Sequence, residues 1–119
     1  MRDVLIIDDN PAVGEALSLL LTLREVRAHV AAGPAQGLEL LATRPIDLVI
    51  QDMNFGAAPT SGAEGIALFH AIRERQPDLP VILLTAWTRL ESAVELVKAG
   101  AADYLAKPWD DARLLTTVE

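Results

Sequence analysis

Val4-Leu5-Ile6-Ile7-Asp8-Asp9-Asn10-Pro11 holds an apolar run, a pair of carboxylates and a helix-start signal in immediate succession. A strand apolar at every position is buried on both faces, as in a parallel sheet covered by helices. Asn before Pro places an N-cap residue ahead of the first helical position. The stretch therefore reads as a βα unit with its acids at the carboxyl end of the strand.

The same unit recurs along the chain. Strands are expected at residues 4–7, 26–31, 48–51, 81–84 and 103–106, and four of the five are nearly all apolar. Helix one follows Asn10-Pro11 to about Leu23. Gly33-Pro34 opens a second helix that ends near Thr43, before Pro45 stops it. Ser61 with Glu64 and Thr88 with Glu91 match the capping box, so helices three and four start there. Gly100 suits a left-handed C-terminal cap, and Asp110 opens a fifth helix with few residues left before Glu119. Parallel neighbours need crossovers, which are right-handed in nearly all cases. The expected fold is α/β: a flavodoxin-like, doubly wound (βα)5 domain over residues 1–119, with a five-stranded parallel sheet in the order 2-1-3-4-5. The short fifth helix reads as the edge of a fragment cut from a longer protein.

Composition narrows the function. At 119 residues the chain is one domain of average size. A net charge of −7 without any Lys/Arg cluster argues against direct nucleic acid binding, which rests on neutralising phosphates. Cys is absent, so disulfides, thiolate zinc sites and thiol chemistry are excluded. No apolar run approaches the roughly 18 residues of a membrane span, and no targeting signal is visible. A cytoplasmic location fits.

Ligands of open α/β sheets bind beyond the carboxyl ends of the strands, at the switch point that here lies between strands one and three. Strand one ends in Asp8-Asp9, strand three in Asp52, strand four in Thr85 and strand five in Lys107-Pro108. Taken singly, each has a plain structural explanation as a turn residue, a strand-end hydroxyl or a solvated charge. Together they form a site. Carboxylates 4 Å apart repel by about 4 kcal/mol per pair at an effective dielectric near 20, so a bound cation or a retained proton must relieve them. Oxygen donors without His or Cys suit a hard ion, and Mg2+ is expected. With the metal on Asp8 and Asp9, the Asp52 carboxylate is available as a nucleophile toward phosphorus. Lys107 would neutralise phosphoryl charge, Thr85 would bond a phosphoryl oxygen, and the small Ala86 leaves room.

These residues, with Tyr104, resemble in order and spacing the receiver domains of two-component response regulators, the CheY-like fold, over the whole chain. The resemblance implies transfer from a phosphohistidine of a sensor histidine kinase onto Asp52, with Mg2+ held by Asp8, Asp9, Asp52 and the main-chain carbonyl of Asn54. It implies that Thr85 and Tyr104 are the switch pair and that the Lys107-Pro108 bond is cis. The segments Asp52-Met53-Asn54-Phe55, Thr60-Ser61-Gly62, Thr85-Ala86-Trp87 and Lys107-Pro108-Trp109-Asp110 are similar to receivers of NtrC-like, sigma-54-dependent transcription activators. That likeness implies AAA+ ATPase and DNA-binding domains after Glu119. Dimerisation on phosphorylation, through helices four and five, is implied in the same way. The loop 55–60 departs from the general pattern, in which a shorter turn follows the aspartate.

Two rivals share some of these parts. A phosphatase of the haloacid-dehalogenase type needs a second Asp two positions after a strand-one nucleophile, where this chain has Asn10. A degenerate receiver would lack key acids, which are all present. His29 and His70 read as surface or strand-filling residues, residues 17–23 and Phe69 with Ile66 and Ile72 as core, and Arg73, Glu74 and Arg75 as a solvated helix end. Glu95 and Lys98 would lie on a face of helix four open to a partner.

Overall fold

The computed structural model describes residues 2–52, 63–86 and 103–107. The strands are β1 (Asp3–Ile7), β2 (Arg27–Ala31), β3 (Leu48–Asp52), β4 (Val81–Ala86) and β5 (Asp103–Lys107). The helices are α1 (Pro11–Thr22), α2 (Pro34–Thr43) and α3 (Ala63–Arg75). All strand pairs are parallel, in the order β2-β1-β3-β4-β5. The expected helices four and five, Gly100, Asn54 and the Lys107-Pro108 bond lie outside the described residues.

Local chemistry accounts for the helix ends. Asn10 is extended at the N-cap of α1, and its side chain accepts the Ala12 N–H at 3.0 Å. Pro34 opens α2, where the Gln36 side chain reaches back to accept the Ala32 N–H at 3.0 Å. After α1 the chain reverses through Glu25, whose φ of 60° is left-handed. The reversal is closed by Val26 N–H donating to the Leu21 carbonyl at 3.0 Å.

Helices cover both sheet faces. Leu17 and Leu21 of α1 pack with Val4, Ile6, Ile50, Ile82 and Leu84 on one face. On the other, Leu41 of α2 and Leu68, Phe69 and Ile72 of α3 pack with Leu5, Ile7, Val49 and Leu83. The expected core role of Phe69 and Ile72 holds, since both are fully buried. Gly37 lets α2 approach β1 closely, because a Cβ there would meet Ile7 Cδ1 at 2.6 Å.

Three expectations need correction. The stretch 17–23 is only partly core: Leu19, on the side of α1 turned from the sheet, is 65% exposed, and Leu23, at the C-cap just past the helix, is 72% exposed. Arg73 is not simply solvated. Its guanidinium donates to the Leu79 carbonyl at 3.0 Å and lies 5.6 Å from the centre of the Phe69 ring, tying α3 to the turn before β4. The strands also run further than expected, because ladder pairing continues through Asp52↔Leu84, Thr85↔Ala106 and Ala86↔Lys107. Asp52 and Lys107 are thus the last residues of β3 and β5, and Thr85 the next to last of β4, so the sheet ladder holds their main chain, while Asp8 and Asp9 directly follow β1.

Candidate metal and phosphoryl-acceptor site

Register brings the chemistry to one edge. Ile7 lies opposite Gln51, so Asp8 follows β1 at the level where Asp52 ends β3. Asp52 in turn lies opposite Leu84, the residue before Thr85. Lys107 ends β5 opposite Ala86, and Tyr104 pairs with Leu83 further back. The backbone therefore brings Thr85 and Lys107 to the same sheet edge as the acids.

Asp8, Asp9 and Asp52 each offer a carboxylate oxygen within 4.8 Å of the others. Asp8 and Asp52 are only 2% exposed, whereas Asp9 is open to solvent. Asp8 Oδ1 accepts the Asn10 N–H at 2.8 Å, and its own N–H donates to the Ala31 carbonyl at 3.1 Å, so this acid is held from both sides. The positive end of the α1 dipole starts immediately afterwards at Pro11. Two carboxylates that are almost wholly shielded from water and stand together with a third repel one another, and a cation placed among them would relieve that repulsion. Oxygens around one Mg2+ lie at about 2.1 Å from it, hence up to about 4.2 Å apart. The cluster fits a small hard cation with minor side-chain adjustment, and its all-oxygen donor set favours one.

The histidines stand apart from this centre. His29 on β2 places Nε2 3.1 Å from Asp3 Oδ1, at the opposite end of the sheet. Arg27 Nη1 donates to the same oxygen at 3.3 Å, and Asp47 Oδ2 accepts the Asp3 N–H at 2.8 Å. The hydrogen bond from His29, aided by the charge of Arg27, holds the Asp3 carboxyl below its ordinary value, against the opposing effect of burial. His70 is exposed on α3, with its ring edge-on to Phe69. Both histidines thus keep the structural roles expected of them.

One buried polar residue beside the cluster escaped the sequence reading. Gln51 is fully buried next to Asp52, and its Nε2 donates to the Asp52 carbonyl at 3.5 Å. In a sequence it reads as the polar tail of a strand, and only the ladder shows it enclosed.

The family model for the response regulator receiver domain matches residues 4–119. Response regulator protein FleR of Pseudomonas aeruginosa is 43% identical over 117 residues, covering 97% of this chain and 23% of that protein. Transcriptional regulatory protein ZraR of Escherichia coli O157:H7 is 35% identical over 117 residues, covering 98% of this chain and 25% of that protein. The chain thus spans about a quarter of the length of these relatives. Among solved structures, the N-terminal signal receiver domain of a Bacteroides fragilis response regulator superposes with a TM-score of 0.87. It is 34% identical, and the match covers 98% of this chain and 93% of that one.

Proposed function

Because the chain belongs to the response regulator receiver domain family, we propose that it takes a phosphoryl group onto Asp52 from a phosphohistidine of a sensor histidine kinase. The observation that carries this reading is the meeting of Asp8, Asp9 and Asp52 within 4.8 Å, with two of the three shielded from water. Asp8, Asp9, Asp52 and the Asn54 carbonyl would hold Mg2+, which when bound offsets the charge of the acids and of the incoming phosphoryl oxygens.

An Asp52 oxygen attacks phosphorus as the phosphorus–nitrogen bond of the donor breaks. The bonding pair stays on the imidazole nitrogen, and an acyl phosphate forms. Asp8 and Asp9 bind and orient, the Thr85 hydroxyl donates to a phosphoryl oxygen, and the Lys107 ammonium neutralises charge. Water later attacks the same phosphorus, releasing phosphate and restoring the carboxylate. The chain is itself the acceptor in the transfer step, so that step yields its own modified state, and the later release of phosphate resets it rather than turning over an external substrate.

The output is a population shift in which Thr85 and Tyr104 change position together. The relatives' names and greater length support residues 1–119 as the receiver of a larger regulator, and a cytoplasmic location is part of the same proposal. Its further domains, an AAA+ ATPase and a DNA-binding module, would activate sigma-54-dependent transcription, with receiver dimerisation as the coupling step. Incubation with acetyl phosphate and Mg2+ tests the acceptor role. Intact-mass analysis is expected to show one added phosphoryl group on the wild type and none on Asp52→Asn, and equal uptake by the two proteins would overturn the assignment.

A further inference from the structure

We propose that Gln51 is a positioning residue for the acidic site: its buried carboxamide fixes the main chain where β3 ends and so sets the aim of the Asp52 carboxylate. The inference deepens the reading above and rests on it. Gln51 lies in the ladder between Ile7 and Leu83. Parallel neighbours in register project to the same face, and Ile7 and Leu83 belong to the apolar core beneath α2 and α3. A fully buried primary amide therefore occupies a place among Ile7, Val49 and Leu83 that an aliphatic side chain of similar size would suit. Burial of an amide is unfavourable unless its hydrogen-bonding groups are engaged.

The Nε2 end of the amide engages the main chain of the acceptor. Gln51 Nε2 donates to the Asp52 carbonyl at 3.5 Å, a long contact in a water-excluded setting where such interactions are strengthened. Asp52↔Leu84 is the last β3–β4 pair among the described residues, so the carbonyl marks the point where the ladder hands over to the chain leading to Met53 and Asn54. Successive strand residues alternate faces. Asp52 projects with Ile50 to the α1 side, toward Asp8 and Asp9, while Gln51 braces the same peptide from the α3 side. The carboxylate is thereby held from behind by a residue that does not touch the ion or the phosphoryl group.

Gln51→Met, which keeps length without donating, and Gln51→Leu test this. Three quantities are read on each variant and the wild type: the thermal midpoint without Mg2+, Mg2+ affinity by calorimetry, and the rate of acetyl phosphate uptake against its concentration. The expected result is a midpoint at or above the wild type with Mg2+ affinity weaker by about tenfold, the low end for residues one step removed from metal ligands. The maximal uptake rate falls in parallel, while the half-saturating acetyl phosphate concentration is unchanged. Wild-type affinity and rate in a folded Gln51→Met protein would overturn the inference. So would failure of both variants to fold, since the amide would then serve stability alone. A wild type that neither binds Mg2+ nor takes up phosphoryl would remove the underlying reading, and this inference with it.

Discussion

Asp9 and Asp8 do different work although they are adjacent. Asp8 is buried and held by the Asn10 and Ala31 main chain, whereas Asp9 is exposed. Asp9→Asn is therefore expected to keep the thermal midpoint of the ion-free protein within a few degrees and to weaken Mg2+ binding at least tenfold, as calorimetry would show; unchanged affinity would remove Asp9 from the site. A second residue prediction concerns Asp3, whose carboxyl sits below the ordinary value of 3.8 in the folded chain. A carboxyl that ionises more readily when folded stabilises the fold once the unfolded form is also ionised. The contribution is complete above pH 3.8 and is lost as pH falls below it through the native value. Asp3→Asn should accordingly be less stable than the wild type at neutral pH, with the gap closing in acid; a gap independent of pH would contradict the assignment. The site acids were legible in the sequence because charge directly after an apolar run is conspicuous. The Asp3–His29 pair and the enclosure of Gln51 were not, because both depend on which strands lie side by side and in what register.

Elements show where periodicity suffices and where it stops. The five strands and the starts of α1 and α2 follow from apolar runs and caps, and the positions expected for them hold to within two residues. The carboxyl ends of β3, β4 and β5 run longer than expected, since Asp52 reads as a turn residue, Thr85 as a strand-end hydroxyl and Lys107 as a solvated charge until their neighbours' ladders are known. On α1, alternation of burial explains a contrast. Leu17→Ala should cost about 2–5 kcal/mol by emptying a packed position, whereas Leu19→Ala, at 65% exposure, should change stability by less than about 0.5 kcal/mol. Urea unfolding of the two variants checks this, and equal effects would contradict the described face. Gly37→Ala should push α2 from β1, since the new methyl would meet Ile7 Cδ1 at 2.6 Å. Overpacking of that kind costs about 1–3 kcal/mol, and Ile7→Val in the same protein should recover part of it. Absence of any coupling between the two substitutions would show that the helix tolerates the methyl.

The whole molecule is organised so that one sheet edge gathers what the chain keeps far apart in sequence. A core on each face fixes the strands, and the strands fix the acids. Binding that is confined to the folded state stabilises it, by about 2.7 kcal/mol at a ligand concentration one hundred times the dissociation constant. Mg2+ should thus raise the thermal midpoint of the wild type and leave that of Asp52→Asn much less affected. The most direct measurement is diffraction from crystals grown with Mn2+ and beryllofluoride. The expected result is an anomalous peak bound by Asp8, Asp9 and Asp52, with beryllofluoride joined to an Asp52 carboxylate oxygen. A metal bound elsewhere, or beryllofluoride on any residue other than Asp52, would contradict the account.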